Sequence, residues 1–441
     1  MRMIAASAST MVPMTSIREA SGLDVGALRD HFPALARTLD GRPVAYLDGP
    51  GGTQVPRECI VAMTAYLERS NANHGGAFTA SIETDAVLDE AHAAAAEFLG
   101  AHQPAEIVFG PNMTTLTLAM SRAIGRDLAP GDEVVVTRLD HDANVAPWLA
   151  LAEDRGLVVR WLELAEDGAS LDLSGLDEAL NARTRVVAVG LASNALGTIT
   201  DVGRVIEAAH AVSAIAYVDA VHAAPHLPID VAALRADLLV CSPYKFFAPH
   251  LGMLYGRADL LERIEAYRVR PAGAAAPGKW ETGTQNHEAL AGLLGTFEYL
   301  EHLGAAYGDA AGRSDRRGRL RAAMSAIHEH ERGLSLATLE RLARVPGLRL
   351  HGITDPARVA ERVPTFSFTL DGHAPRAIAE HLARRAISTW DGDFYAWELV
   401  RALGFDDAGG LLRIGLVHYN TLEEVDRLVE ALLELASSRV A

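Results

Sequence analysis

The amino-acid sequence predicts an α/β protein with a mostly parallel sheet, followed by a smaller α+β domain. Three observations support this fold class. Between residues 106 and 242, short apolar runs alternate with helical patterns. The runs are continuous and rich in valine and leucine, as in strands that are buried on both faces. After about Leu290 the alternation weakens and longer helical stretches take over.

The elements follow in order. In the first part, we predict strands at residues 106–110, 133–137, 157–164, 185–193, 215–219 and 237–242, with helices at 114–124, 143–155 and 201–212. In the second part, we predict helices at 291–302, 313–345, 374–385 and 422–437, and strands at 365–370 and 411–418. This order divides the chain into a mobile N-terminus (1–22), a segment that bridges the domains or packs on the smaller one (23–76), a large domain (77–290) and a small C-terminal domain (291–441).

Composition narrows the class of protein. A length of 441 residues allows two domains and a large core. The net charge of −17 argues against nucleic acid or an anionic membrane surface as the main partner. No apolar run approaches the roughly 20 residues that a spanning helix needs. The two cysteines, Cys59 and Cys241, are far apart and form no metal-binding spacing. We therefore expect a cytoplasmic protein without a disulfide framework or a metal site.

Lysine usage points to one position. Of the 40 basic residues, two are lysines, Lys245 and Lys279. Lys245 stands in a polar turn after the apolar run 238–241. Arginine can replace lysine as a surface charge but not as an amine that must lose its proton and attack a carbonyl. Lys245 is therefore interpreted as a Schiff-base nucleophile. Taken alone, it could equally be one of two lysines that an arginine-rich composition left at random.

Other polar residues also follow predicted strands, at the sheet edge where ligands bind in α/β proteins. They are Asn112, Thr114, Thr115, Asp140, His141, Asn144, Ser193, Asn194, Asp219, His222, Ser242 and Tyr244. A carboxylate can hold the proton of a pyridinium, an imidazole can stack on a pyridine ring, and threonines at a helix N-terminus can bind phosphate. Alternatively, Asp219, Thr114 and Thr115 could be helix caps, and His141 could be a structural histidine.

Taken together, these residues resemble the class V aminotransferase family of fold-type I pyridoxal-phosphate enzymes, and most closely its cysteine desulfurase-like branch. The resemblance runs from about Tyr46 to Leu432. It rests on the segments 46–48, 71–75, 140–144, 193–198, 218–222, 242–245, 281–284 and 419–426. It implies a large domain with a mostly parallel seven-stranded sheet, a smaller α+β C-terminal domain, and pyridoxal 5'-phosphate as the cofactor.

The resemblance also implies roles around the cofactor ring. Lys245 would join the cofactor and then shuttle the Cα proton. His141 would stack on the ring, and Asp219 would pair with the pyridine nitrogen. His222 stands where desulfurases usually have glutamine, facing the phenolic oxygen. Histidine at this position also resembles isopenicillin N epimerase-like members.

Further roles concern the phosphate and the substrate. Thr114, Ser242 and Tyr244 would hold the phosphate. Thr284 would reach the phosphate of the neighbouring subunit, which implies a homodimer with shared active sites. Asn194 would lie near the ring oxygen and the substrate. Arg413 would clamp the substrate α-carboxylate through its two-pronged guanidinium.

One departure from the family pattern matters. Desulfurases carry a loop cysteine that accepts sulfur as a persulfide, whereas the matching segment here, 389–396, contains no cysteine. Tyr395 or its neighbour stands there, and Trp390 replaces a usual arginine; Tyr395 and Trp390 are candidate substrate contacts. Asp391 and Asp393 would add negative charge beside the substrate and favour a distal amine, or would be solvated loop residues.

The leading hypothesis is therefore a pyridoxal-phosphate lyase that acts at Cβ of a cysteine-like amino acid without a persulfide cysteine. The alternative is an amino-acid epimerase or a class V aminotransferase, suggested by His222 and the missing cysteine. A third hypothesis is a non-catalytic binding protein that keeps the fold; the presence of Lys245, Asp219 and Arg413 together argues against it.

Overall fold

The structure is a computed structural model that describes residues 22–307 and 315–437. The expectation of a mobile N-terminus at 1–22 therefore lies, apart from Gly22, outside the described residues. The strands are β1 Thr38–Leu39, β2 Arg42–Pro43, β3 Ala45–Tyr46, β4 Ile107–Gly110, β5 Glu133–Thr137, β6 Val158–Leu162, β7 Thr184–Gly190, β8 Ile215–Asp219, β9 Leu238–Cys241, β10 Gly252–Gly256, β11 Leu348–His351, β12 Thr365–Leu370, β13 Ile387–Ser388, β14 Trp390–Gly392 and β15 Leu411–Gly415.

The α-helices lie between and around these strands. They are Val25–Arg29, Arg57–Arg69, Thr79–Leu99, Met113–Ile124, Ala146–Arg155, Leu176–Ala179, Val202–Ala211, Val231–Leu234, Ala258–Arg263, His287–Tyr307, Arg316–Leu342, Pro375–Ala383, Trp397–Ala402 and Leu422–Ser437. Short 3₁₀ turns occur at Pro33–Ala36, Gly49–Gly51, Pro104–Glu106, Gly125–Asp127, Asp142–Asn144, Pro243–Lys245 and Pro356–Glu361.

A seven-stranded sheet forms the centre of the larger part, in the order β4-β10-β9-β8-β7-β5-β6. Strands β5 to β9 pair in parallel, and β10 is antiparallel to both of its neighbours. The side chains of Val134, Val135 and Val136 are all fully buried. Helices cover both faces, which explains why the strands are continuous apolar runs. The predicted α/β class with a mostly parallel seven-stranded sheet is confirmed.

The smaller part contains an antiparallel sheet in the order β11-β12-β15-β14. Helices Arg316–Leu342, Pro375–Ala383 and Leu422–Ser437 pack against it. Strand β3 of the N-terminal segment pairs in parallel with β13, and Gly415 at the end of β15 hydrogen-bonds to Leu47. The domain boundaries drawn from the sequence stay a prediction.

Seven strands were absent from the predicted order: the two-residue strands β1, β2, β3 and β13, and strands β10, β11 and β14 of the two larger sheets. The long helix Thr79–Leu99 was absent as well. Strand β10 is flanked by glycines, and β11 and β14 are short, so the sequence lacks the long apolar run that marks a buried strand. Helix Thr79–Leu99 is rich in alanine, which packs closely against neighbours without giving a strong apolar stripe. The predicted helix at 143–155 begins as a 3₁₀ turn at Asp142–Asn144, and its α-helical part starts at Ala146.

Candidate active site

A cavity of about 1010 Å³ lies at the carboxyl ends of the parallel strands, between the large sheet and the smaller part. It is lined by residues that follow β4, β5, β7, β8 and β9, by residues of the segment 390–395, and by Arg413 of β15. The structure therefore brings together all but one of the residues to which the family resemblance gave a role: Thr114, His141, Asn194, Asp219, His222, Ser242, Tyr244, Lys245, Trp390, Tyr395 and Arg413.

Lys245 projects into this cavity from the short 3₁₀ turn after β9. Its Nζ donates a hydrogen bond to the carbonyl oxygen of Pro50 and lies 4.7 Å from the centre of the Tyr244 ring. Burial and the nearby charge of Arg413 lower the pKa of Lys245 to about 7. An amine in this state is substantially neutral at physiological pH and can act as a nucleophile.

Two buried carboxylates lie at the same sheet edge. Asp219 ends β8, and its Oδ1 accepts a hydrogen bond from the Val221 N–H at 2.8 Å. Burial raises its pKa to about 7, and the Asp140 carboxylate adds to that shift. Asp140 follows β5 and accepts hydrogen bonds from Asn144 Nδ2 at 2.7 Å and from the Gly190 N–H at 2.9 Å. Carboxylates this costly to ionise favour a cationic partner, such as a protonated ring nitrogen.

His141 presents its ring to the cavity next to these carboxylates. Its Nδ1 accepts a hydrogen bond from the Ala143 N–H at 3.0 Å, which fixes the ring at the start of a 3₁₀ turn. Burial and the charges of Lys245 and Arg413 lower its pKa to about 4. The ring is therefore neutral, with an aromatic face available for stacking.

Donors suited to an anion occupy another part of the cavity wall. Helix Met113–Ile124 begins there, and Asn112 caps it by accepting a hydrogen bond from the Thr115 N–H at 2.8 Å. Thr114 in the first turn and Ser242 after β9 both line the cavity. Ser242 is buried, and its hydroxyl makes no capping bond to the turn that follows it. Hydroxyls beside a helix N-terminus form a suitable phosphate site.

Arg413 and Asn194 form a contact on the side of the cavity that faces the smaller sheet. Arg413 is 4% exposed, and its Nη1 donates to the backbone oxygen of Asn194 at 2.8 Å. No other hydrogen bond of this guanidinium occurs within the described residues. Asn194 Nδ2 donates to the Phe394 carbonyl oxygen at 2.8 Å, while its Oδ1 is buried and has no partner among the residues that the structure describes. A buried guanidinium with free donors is suited to a carboxylate.

The segment 390–395 closes the cavity on its outer side. Phe394 and Tyr395 both adopt φ of +58°, a left-handed conformation that costs such residues free energy. Contacts with the site hold them there. The Phe394 ring centre is 4.3 Å from the Arg413 guanidinium, and the Tyr395 ring stacks on His141 with centres 5.5 Å apart. The Tyr395 carbonyl oxygen accepts a hydrogen bond from the Asp142 N–H at 2.6 Å.

The two acidic residues of this segment have partners of their own. Asp391 pairs with Arg376 at 3.1 Å. Asp393 Oδ1 accepts a hydrogen bond from the Tyr395 N–H at 2.8 Å and so holds the turn. Both line the cavity, but the charge of Asp391 is already compensated.

Thr284 is the predicted site residue that does not line this cavity. It is exposed, in the segment before helix His287–Tyr307. Its expected role toward a neighbouring subunit stays a prediction, because a single chain does not test it.

Sequence reasoning missed some residues of the site. The Pro50 carbonyl that holds Lys245 could not be found, because a backbone contact leaves no signal in residue type. No signal in the sequence marked Phe394 either, because its role depends on the fold of the loop. Asp140 was noted as following a strand but given no role, although it neighbours Asp219. Asp48 belongs to a segment noted in the sequence, and its carboxylate acts electrostatically on Lys245 and Arg413.

The fold and the site define a class of protein. A sheet of this topology, with a lysine after one strand and a carboxylate after its neighbour, is that of a fold-type I enzyme. The model of the family described as "Aminotransferase class-V" matches residues 45–315 and 320–428. The chain belongs to the class V aminotransferase family.

Curated relatives support a finer position within that family. A probable cysteine desulfurase from Streptomyces coelicolor is 33% identical over 93% of this chain and 96% of its own length. A cysteine desulfurase from Pectobacterium atrosepticum is 32% identical over 92% and 96%. A probable cysteine desulfurase from Mycobacterium leprae is 30% identical over 94% of this chain, which spans 65% of that relative's length.

Solved structures are similar over nearly the whole chain. The apo structure of a cysteine desulfurase from Thermococcus onnurineus NA1 matches with a TM-score of 0.81 at 26% identity, covering 94% of this chain and 98% of that one. A cysteine desulfurase from Escherichia coli gives 0.79 at 27% identity, covering 95% and 100%. A C-DES mutant with glycine covalently linked to the PLP cofactor gives 0.75 at 21% identity, covering 92% and 99%, and shows likeness of fold.

The chain is therefore a pyridoxal-phosphate-dependent enzyme of the cysteine desulfurase-like kind, and the residues of the cavity fit the cofactor. They provide an amine of lowered pKa, a buried carboxylate, a neutral imidazole face and hydroxyls at a helix N-terminus. The buried, unpartnered Oδ1 of Asn194 is also consistent with a bound polar group. Within the described residues, no helix is long and apolar enough to cross a membrane.

Proposed function

We propose that this enzyme is a lyase acting at Cβ of a cysteine-like amino acid, and that it works without a persulfide cysteine. The observation that carries the proposal is that Lys245 and Arg413 line the same cavity and that no cysteine lines it. Cys59 and Cys241 are both fully buried, Cys59 in helix Arg57–Arg69 and Cys241 in β9. Burial also raises the pKa of both thiols, which further disfavours the reactive thiolate.

Each cavity residue has a task under this proposal. Lys245 would join the cofactor, Asp219 would hold the proton of its ring nitrogen, and His141 would cover one face of the ring. Thr114, Ser242 and Tyr244 would hold the phosphate. When bound, pyridoxal phosphate supplies an electron sink that stabilises the negative charge left at Cα.

The proposed substrate contacts follow from the N–H groups of the Arg413 guanidinium that have no partner among the described residues. The free edge of Arg413 would bind the α-carboxylate through two parallel hydrogen bonds, with Asn194 beside it. This would place Cα near Lys245, whose neutral Nζ can accept the Cα proton. Trp390 and Tyr395 would close the cavity over the Cβ substituent and exclude water.

The test is product analysis on the cofactor-loaded enzyme given cysteine or cysteine sulfinate, with Lys245→Ala as the blank. We expect sulfide with pyruvate and ammonia from cysteine, or sulfite with alanine from cysteine sulfinate, formed only by the enzyme with Lys245. Pyruvate would indicate elimination, and alanine would indicate desulfurase-like release. No turnover by an enzyme with a normal cofactor spectrum would overturn the proposal.

A second candidate function is amino-acid epimerisation or transamination. It is favoured by His222, which lines the cavity where desulfurases usually have glutamine. Chiral analysis of amino acids after incubation with the enzyme would detect epimerisation, and oxo-acid formation would detect transamination. Either activity without C–S cleavage would replace the lyase proposal.

We also propose that two copies of the chain form a homodimer with shared sites, in the cytoplasm. The segment 71–75 lies beside the start of the helix that follows 281–284, as the rings of His74 and His287 are 6.2 Å apart. Neither segment lines this chain's own cavity, which is consistent with a role in a partner's site. Large apolar side chains are exposed on helix Arg57–Arg69 and around the start of helix Thr79–Leu99: Ile60, Val61, Leu67, Phe78 and Ile82.

A further inference from the structure

Among the residues that the structure describes, one ring nitrogen of His222 has a hydrogen-bond partner and the other has none. It follows β8, lines the cavity, and is 4% exposed. Its Nε2 lies 2.9 Å from the hydroxyl oxygen of Thr365. Within the described residues, no hydrogen bond involves its Nδ1. Whether Nδ1 offers a proton to the cavity or a lone pair therefore depends on the tautomer.

The imidazole of His222 is neutral. Burial lowers its pKa well below the usual value, and the charges of His226, Arg413 and Lys245, together with His141, act in the same direction. The ring of His226 meets that of His222 edge to face at 5.3 Å, and His226 is itself paired with the buried Glu331 at 2.7 Å. A neutral imidazole carries its proton on one nitrogen, and its hydrogen bonds select which one.

Thr365 is held in place by its backbone. It lies in β12 opposite Gly415 of β15 and is fully buried. Its N–H donates to the Val363 carbonyl at 2.7 Å, and its own carbonyl accepts from the Arg362 guanidinium. A Cβ at Gly415 would lie 3.3 Å from the Thr365 hydroxyl oxygen, so the hydroxyl sits in a tight space beside His222.

Within the described part of the chain, the hydroxyl proton of Thr365 has one acceptor. Among the described residues, the hydroxyl's hydrogen-bond partner is His222 Nε2. If Nε2 carried the proton, it would donate to Thr365, and the buried hydroxyl proton would have no acceptor. Leaving a buried donor unpaired costs the desolvation free energy of that group. Donation from Thr365 to Nε2 avoids this cost.

We propose that Thr365 is a positioning residue: its hydroxyl donates to Nε2 of His222 and holds that ring as the tautomer that carries its proton on Nδ1. His222 then presents an N–H donor to the cavity. The use of this donor rests on the proposed function, because the cofactor's anionic phenolic oxygen would be its acceptor. The tautomer itself does not depend on that function.

The test uses Thr365→Val, which has a similar shape and no hydroxyl, and Thr365→Ser, which keeps the hydroxyl. The first measurement is ¹⁵N NMR of the histidine ring nitrogens in the full-length enzyme, with His222→Gln to assign the signal. We expect a proton on Nδ1 in the wild type and in Thr365→Ser, and loss of that preference in Thr365→Val. A wild-type proton on Nε2 would overturn the proposal, even if the valine variant did not fold.

The second measurement is the pH dependence of the visible absorbance of the bound cofactor. A donor to the phenolic oxygen disperses its negative charge, so losing the donor makes the Lys245 nitrogen hold its proton more tightly. We expect the transition in Thr365→Val to move up by about one pH unit and Thr365→Ser to restore it. An Nδ1 proton together with an unchanged transition would overturn the role toward the cofactor. An enzyme that binds no cofactor would overturn the proposed function, while the NMR result would still decide the role of Thr365.

Discussion

At the scale of single residues, burial determines the chemistry of this site. The same loss of water lowers the pKa of Lys245 and His141 and raises that of Asp219. The amine, the imidazole and the carboxylate therefore all tend toward their neutral forms until a charged ligand arrives. A lysine on the surface would stay protonated and could not serve as a nucleophile at neutral pH.

The lowered pKa of Lys245 predicts how cofactor capture depends on pH. Because burial and Arg413 lower that pKa to about 7, the amine is mostly charged at pH 6 and mostly neutral at pH 8. The rate at which the cofactor-free enzyme binds pyridoxal phosphate should rise roughly tenfold between these values. Stopped-flow absorbance at a series of pH values measures it.

The matched variant is Arg413→Met, which removes a repelling charge. The pKa of Lys245 should then rise, and the rate profile should move to higher pH. A profile that is flat from pH 6 to pH 8, or one that Arg413→Met moves downward, would contradict the electrostatic account.

At the scale of elements, most of the functional side chains lie at the ends of strands and at the start of one helix. Strand β8 ends on Asp219, β9 leads to Lys245, and helix Met113–Ile124 begins at the cavity. The carboxyl ends of parallel strands meet at one edge of the sheet, so residues far apart in sequence share one cavity. Each of these elements contributes one side chain to the site, and the packing of the element fixes the position of that side chain.

The start of helix Met113–Ile124 offers a matched pair of threonines. Thr114 lines the cavity, whereas the hydroxyl of Thr115 donates to Asn112 at 3.0 Å and lies outside it. Thr114→Val should weaken cofactor binding by about tenfold, the scale of one hydrogen bond to a charged phosphate. Thr115→Val should change it much less. Fluorescence titration with pyridoxal phosphate compares the two, and equal losses would exclude a phosphate contact by Thr114.

A single substitution in the segment 390–395 is expected to give the enzyme a new function. If Tyr395 stands in the place of the desulfurase loop cysteine, Tyr395→Cys should restore a thiol that can accept sulfur from the substrate. Mass spectrometry after incubation with cysteine should then detect one added sulfur atom on that residue. Tyr395→Ser is the control and should show none. A Tyr395→Cys enzyme that releases sulfide but never carries sulfur would contradict the placement of the loop.

At the scale of the whole molecule, the site lies where the large sheet meets the smaller part. Asp219 and Lys245 come from the large sheet, whereas Arg413 and Thr365 come from the smaller one. The buried pair of His226 and Glu331 joins the loop after β8 to helix Arg316–Leu342. A change that separates the two parts would therefore dismantle the site as well as the fold.

The exposed apolar side chains on helix Arg57–Arg69 predict an oligomer. Val61 is 58% exposed, so Val61→Glu should leave the fold of one chain intact while placing a charge in the proposed interface. We expect a shift from dimer to monomer in light scattering, with loss of activity if the sites are shared. Val158→Glu, at an exposed site on β6, is the control. A wild-type monomer, or a dimer unaffected by Val61→Glu, would contradict this prediction.

The sequence alone predicted the α/β class, the parallel strands and most residues of the cavity, because apolar periodicity and strand ends are local signals. Asp219 and Lys245 could be found, since Asp219 ends one buried run and Lys245 lies in the turn after the next. Strands β10 and β14 could not, because β10 begins and ends at glycines and β14 has only three residues, so neither gives the long apolar run that marks a buried strand. Thr365 lies inside a predicted strand, and nothing in its residue type indicated a contact with His222.

What the sequence determined by itself is therefore the set of chemical groups and the strands that carry them, since both depend on residue type and short-range pattern. Tertiary structure alone decided how those groups are charged and which partner each one has. The pKa of Lys245 depends on burial and on Arg413, 168 residues further along the chain (413 − 245). The proposed tautomer of His222 likewise depends on the hydroxyl of Thr365, which comes from another sheet. Electrostatic and hydrogen-bonding free energies act through space, and only folding sets those distances.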